Sequence, residues 1–141
     1  MPIPPSFFQT SELLNKRQKS GKRYLEFLRA PTMSAGVYVL PAGGTDPQTP
    51  HKQDEMYYVV RGRAHMQVGS EQQPVSEGSV IFVAAGVEHR FRDITEELVV
   101  LAFLLLLKAS TQYWYRVGER RARYLGFVSG YGFSHTVSAP E

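Results

Sequence analysis

Three side chains carry the chemistry this chain can be read for: the imidazoles of His51 and His89 and the carboxylate of Glu55. Two imidazoles and a carboxylate are a donor set for a divalent transition metal. His51 opens the stretch His51-Lys52-Gln53-Asp54-Glu55-Met56-Tyr57-Tyr58-Val59-Val60-Arg61-Gly62, and His89 closes Gly78-Ser79-Val80-Ile81-Phe82-Val83-Ala84-Ala85-Gly86-Val87-Glu88-His89. On a straight strand, residues four apart lie roughly 13 Å from each other. Ligands of one ion sit only about 2 Å from it. Lys52-Gln53-Asp54 must therefore turn or bulge, and their polar, strand-poor composition suits that. A helix would bring His51 and Glu55 to one face, but Pro47, Pro50 and the run from Tyr57 to Val60 argue against one here.

The elements around these residues follow from periodicity. From Glu55 onward, alternation puts Glu55, Tyr57 and Val59 on one face and Met56, Tyr58 and Val60 on the other. If Glu55 points inward, so does Tyr57. Its hydroxyl can then orient a ligand, which makes Tyr57 the candidate catalytic residue, with core packing as its competing role. Asp54 is a candidate to orient His51. Tyr38 and Phe91 join Tyr57 as expected substrate-lining residues. Glu26 and Arg29 read as a solvated charged face near the mouth, Glu88 as an ordinary loop carboxylate, and His65 as a surface residue. His135 has no partner in sequence.

In chain order, residues 1–9 form a Pro-rich arm in which Phe7 and Phe8 can anchor to a neighbouring surface. A short helix is expected over 12–20, with Ser11 as its N-cap and Gly21 as its stop. Strands are expected over 23–29 and 33–40, then a Gly/Pro-rich loop over 41–50. A hairpin about Arg61-Gly62 would join strands 55–60 and 63–68. Further short strands are expected over 73–75, 79–83, 89–92 and 97–107. This pattern predicts an all-β, antiparallel barrel or sandwich. Three regions result: an arm and helix over 1–22, a barrel over 23–107, and a basic, aromatic tail over 108–141.

Composition narrows the function classes. The 141 residues suffice for one domain with a real core. There is no cysteine, which removes disulfides, thiolate metal sites and cysteine nucleophiles. A net charge of +3 is too small to argue for nucleic acid. The mixture of Arg and Tyr in 108–141 could bind single strands, but a partner-packed tail is the plainer account. The N-terminus lacks the basic and apolar regions of a secretory signal. The longest apolar run, 98–107, is half of what a membrane helix needs. A cytoplasmic protein with no membrane partner is the expectation. No phosphate-cradling glycine loop precedes a helix.

The two stretches resemble the two motifs of the cupin superfamily, small β-barrels that hold a metal. The family's first motif is a glycine, a His-x-His pair, a glutamate and a later glycine; Gly44, His51, Glu55 and Gly62 match it. In the second, Gly78, Gly86 and His89 hold their places, while Ala84 replaces a proline and Asp93 an asparagine. Thr49 stands where the pair's first histidine falls. The resemblance covers about residues 35–107 and implies a single jelly-roll barrel with a metal on His51, Glu55 and His89. Three outcomes stay open: a two-His-one-carboxylate iron(II) site, a fourth oxygen ligand from Gln48 or Asp46, or weak or absent metal binding. Mn, Ni and Zn are alternatives to iron. The implied function is a small metal-dependent enzyme of oxygenase type acting on a small organic substrate. The alternative is a non-catalytic binding or sensing barrel. A homodimer is implied as well, with Phe7, Phe8 and the run 98–107 as contact candidates.

Overall fold

The computed structural model describes residues 3–106. Its elements are α1 (Thr10–Ser20), β1 (Tyr24–Arg29), β2 (Met33–Leu40), β3 (Asp54–Val68), β4 (Glu71–Ser76), β5 (Val80–Val83) and β6 (His89–Leu105). The expected tail, 108–141, and His135 with it, lies outside the described residues. Among the described residues no helix is long and apolar enough to cross a membrane.

All strand pairs are antiparallel, in the order β1-β2-β6-β3-β4, with β5 also on β3. This is the all-β jelly roll expected, with one short helix. The long strands β3 and β6 run together through the whole fold. The first half of β3 pairs with β5, at Glu55↔Val83 to Tyr58↔Val80, and its second half pairs with β4, at Arg63↔Ser76 to Val68↔Glu71. Alternation along β3 is visible in burial: Glu55, Tyr57 and Val59 are buried, while Met56 and Tyr58 are exposed.

The hairpin expected about Arg61-Gly62 is absent; β3 continues through it as one bulged strand. A tight type I′ reversal needs positive φ at both central residues. Gly62 has it, at φ 101, but Arg61 does not. The register to β6 slips around these residues instead, and the strand bends. The reversal comes at Gly69-Ser70, where Gly69 (φ 58) takes the first central position that a type II′ turn reserves for glycine. The strands expected separately over 89–92 and 97–107 are likewise one strand, bent at Asp93 (φ 48). Paired bends in β3 and β6 curl the sheet around its interior.

Two apolar clusters result. The interior one gathers Tyr38, Leu40, Tyr57, Val59, Met66, Phe91, Leu98 and Val100. The other lies on the outer face of β2 and β6, where Leu13 of α1 covers Val37, Val39 and Val99. The helix starts at Thr10 rather than after Ser11, and Gln9 at its N-cap makes no side-chain bond. Gly21 ends it in the left-handed conformation, as expected. Phe8 packs on Phe27 of its own chain, with ring centroids 4.8 Å apart, while Phe7 is fully exposed. Leu98, Val99 and Val100 are wholly buried in the two cores, so this part of the run cannot supply an intermolecular contact.

A Cβ on Gly62 would overlap the Glu97 carbonyl and lie 2.7 Å from Leu98 Cα, both backbone. Gly62→Ala should therefore cost at least about 2 kcal/mol in urea unfolding. Gly43→Ala, also at positive φ (72) but facing open space, should cost about 1 kcal/mol. Equal losses would contradict the bend as a steric constraint.

Candidate metal centre

The loop between β2 and β3 brings His51 to the interior, and one buried carboxylate holds that loop down. Asp46 Oδ1 accepts from the Tyr38 hydroxyl (2.7 Å) and the Gln48 backbone N–H (3.2 Å). Its Oδ2 accepts from Gln48 Nε2 (2.7 Å) and the Phe91 backbone N–H (2.9 Å). Four donors from β2, the loop and β6 satisfy a charge that could not otherwise be buried. At the loop's far end the His51 carbonyl accepts the Gly86 N–H (2.7 Å), and Asp54 Oδ1 accepts the Ala85 N–H (2.8 Å). Asp54, expected to orient His51, thus ties the two motif-bearing loops together instead.

The backbone bends over Lys52 and Gln53 before β3 begins, as the spacing of His51 and Glu55 required. His51 Nδ1 comes within 2.6 Å of Glu55 Oε1, and His89 Nε2 lies 2.9 Å from Glu55 Oε2. One ligand atom from each of the three residues lies within 4.8 Å of the others, so the group could hold a metal ion. Two details fit that use. The Nδ1 of His51 is buried, yet its approach to Glu55 does not have hydrogen-bond geometry, leaving it without a hydrogen-bonding partner. His89 Nδ1 meets the Val87 carbonyl at 2.8 Å. A carbonyl only accepts, so Nδ1 carries a proton in either state of the ring, and Nε2 is the nitrogen that donates to Glu55 in the imidazolium and offers its lone pair in the neutral ring.

The Tyr57 hydroxyl sits among these groups, 2.9 Å from Gln48 Oε1, 3.1 Å from Glu55 Oε2 and 3.0 Å from His89 Nε2. Burial, then the charge of Glu55, pushes its pKa far up, so Tyr57 stays protonated and serves as a donor. Burial alone would raise the Glu55 carboxyl, but the close imidazoles of His89 and His51 outweigh it and hold the group below its ordinary range. Burial works to lower His89, and the Glu55 hydrogen bond, helped by the Val87 carbonyl, leaves it above its ordinary range.

A cavity of about 410 Å³ opens onto His51, Glu55 and Tyr57. Tyr38 and Tyr57 line it as expected; Phe91 does not, being buried behind Tyr57 with the two rings edge-to-face at 5.6 Å. Gln48 also lines the cavity, its Nε2 donating to Asp46 and its Oε1 lying 2.9 Å from the Tyr57 hydroxyl, while Asp46 accepts four hydrogen bonds. Thr49 lies on the wall. Glu26 and Arg29, read from sequence as a solvated face, line the cavity too, joined by Tyr24 and Ser34. A lone Tyr in a half-buried strand carries no signal of its own. His65 lies elsewhere, 3.5 Å from Asp93.

Comparison with known proteins agrees with this architecture. Residues 36–105 match the model of a family described as the cupin domain. An uncharacterized protein of Streptomyces coelicolor is 51% identical over 94 residues, which span 67% of this chain and 90% of that one. Among solved structures, a cupin protein from Bacteroides fragilis superposes with a TM-score of 0.54 at 18% identity, over 70% of this chain and 89% of that one. HppE, crystallised with iron(II) and substrate, superposes with a TM-score of 0.50 at 21% identity, over 57% of this chain and 52% of that one. At such identities the structural likeness speaks for the fold.

The shifts at Glu55 and His89 set a pH window for chelator-dialysed protein. Glu55 has a folded pKa below its ordinary 4.5, so its contribution is complete above 4.5 and is lost as pH falls through the folded value. His89 has a folded pKa above its ordinary 6.5, so its contribution is complete below 6.5 and fades as pH rises through the folded value. Thermal midpoints should peak between these limits, and His89→Gln should flatten the alkaline limb. A midpoint that climbs steadily above pH 6.5 would contradict the pairing.

Proposed function

The chain belongs to the cupin superfamily, and from that premise we propose that it is a metal-binding protein whose His51, Glu55 and His89 hold one divalent ion. The observation that carries this reading is the convergence of an unpartnered His51 Nδ1 and a tautomer-fixed His89 Nε2 on one buried carboxylate. Iron(II) suits a two-His-one-carboxylate set best, with Mn, Ni and Zn as alternatives. A bound ion would supply Lewis acidity and, as iron(II), oxygen chemistry. On this reading the protein is a small oxygenase-type enzyme for an organic substrate; the fold likeness to iron(II)-bearing HppE supports the choice without extending to its substrate.

The protein's own groups divide the remaining work. With three protein ligands, an ion held there would keep positions free for other donors. Tyr57, kept neutral by burial, donates a hydrogen bond at the edge of the group and orients whatever binds there. Tyr38, fixed to Asp46, keeps the wall rigid. Apolar Ala102 and Leu104, paired with Tyr57 and Glu55 across the β3–β6 ladder, line the cavity beside them. Thr49, in place of a further imidazole, favours a second reading, a non-catalytic binding barrel with a degenerate site.

A homodimer fits the outer face of β3 and β5. Met56 opposes Phe82 and Tyr58 opposes Val80, and all four are exposed. Adjacent apolar residues of this size mark an interaction surface, and a face built from four uncharged side chains meets its own copy without like-charge repulsion. Phe82→Glu should convert a dimer to monomer in light scattering; a monomeric parent protein would contradict the assignment.

Elemental analysis of protein purified anaerobically without chelator tests the main reading. Near-stoichiometric metal is expected, falling at least about tenfold in His51→Ala and in His89→Ala. Folded protein that carries no metal and ignores added iron(II) would leave the binding barrel.

A further inference from the structure

Arg29 faces the cavity because β1 carries one residue too many. In the β1–β2 ladder Glu26 lies opposite Gly36 and Leu28 opposite Ala35, so Phe27 has no partner of its own. Plain alternation from Glu26 would send Arg29 to the other face of the sheet. The bulge brings it opposite Ser34 instead, and Tyr24, Glu26, Arg29 and Ser34 all line the cavity. Bulges re-aim side chains beside binding sites in just this way.

Glu26 grips the guanidinium from the side, accepting from Nε (2.7 Å) and from Nη2 (2.6 Å). That grip fixes the plane of the group. It leaves the Nη1–Nη2 edge without an acceptor among the described residues, and two parallel N–H donors on one edge match a carboxylate. Lysine could not present such a fork. Tyr24 links this lip to the interior. Its ring lies over Gly36, where a Cβ would overlap it, and meets Tyr38 at 6.2 Å. Its hydroxyl is pushed up to about 12, by burial first and then by the charges of Glu26 and Glu55 together. Tyr24, the lip carboxylate Glu26 and the metal-centre carboxylate Glu55 all line the same cavity of about 410 Å³.

We propose that the cavity takes a two-ended organic acid: an oxygen-bearing end at His51, Glu55 and His89, and a carboxylate read by Arg29 at the lip, with Tyr24 and Tyr38 along its length. The inner end rests on the proposed metal function; the outer end stands on Arg29 alone.

The probe is benzoate against its neutral match benzamide, followed by NMR of the full-length protein with ¹⁵N-labelled arginine. Benzoate should give a saturable shift of the Arg29 Nε–H signal, and benzamide none. Arg29→Met, monitored through backbone signals of Tyr24 and Ser34, should weaken benzoate binding about tenfold, the loss of one charge-assisted pair. Arg61→Met, at an exposed arginine paired with Glu97 away from the cavity, should leave it within about twofold. Equal response to benzoate and benzamide, no saturable shift, or a loss in Arg61→Met equal to that in Arg29→Met would each overturn the proposal. Metal content of the same samples is read separately, so parent protein that binds benzoate yet carries no metal and takes up no added iron(II) would overturn only the metal reading.

Discussion

The organisation of the site depends on burying Glu55. A carboxylate removed from water needs compensation from groups that are themselves held in place. Here the compensation comes from two imidazoles, His51 on the β2–β3 loop and His89 where the β5–β6 loop enters β6, each within 3 Å of one of its oxygens. Neither loop could sit there by local preference alone. One is nailed by Asp46 to β2 and β6, and the other is joined to it through Gly86, Ala85 and Asp54. The bends in β3 and β6 then wrap the sheet so that residues far apart in sequence face one interior. Burial of Glu55, rather than strand propensity, explains why so many polar bonds are spent on a short loop.

The same logic explains what could be read from the chain beforehand. His51, Glu55 and His89 were legible because residue type and spacing both pointed to one chemistry, and the paradox of their separation on a strand forced a bend at Lys52-Gln53. Alternation from Glu55 to Val59 was legible because one face is core. Arg61-Gly62 misled because an isolated glycine flanked by strands is equally a turn or a bulge. Only long-range pairing with β6, which leaves no room for a Cβ, decides between them. Phe91 was misplaced for a related reason: pointing inward does not distinguish lining a cavity from packing behind Tyr57. The role of Arg29 was invisible, since it hangs on an unpaired Phe27 that no local pattern announces.

The cavity so formed has a divided character. Its inner end buries Glu55 and His89 and is built from groups whose charges offset one another. Its outer end is wet: Arg29 and Glu26 have 63% and 34% of their side chains exposed, where an ion pair adds little to stability. A pair that contributes little to folding, yet is aimed by a bulge, is better understood as a recognition element. Tyr24, Tyr38 and Tyr57 connect the two ends, and each keeps its proton because burial and nearby carboxylates hold its pKa up. The wall is thus made of neutral hydroxyls and ring faces, suited to a small polar molecule with some unsaturated character.

The most direct test of the central claim is anomalous diffraction from crystals grown anaerobically with iron(II), collected on both sides of the iron edge. The account predicts one strong peak about 2.0–2.2 Å from His51 Nδ1, His89 Nε2 and a Glu55 oxygen. A map with no peak there, while His89 Nε2 remains in direct contact with Glu55, would contradict it and leave the three residues as a buried ion-pair cluster.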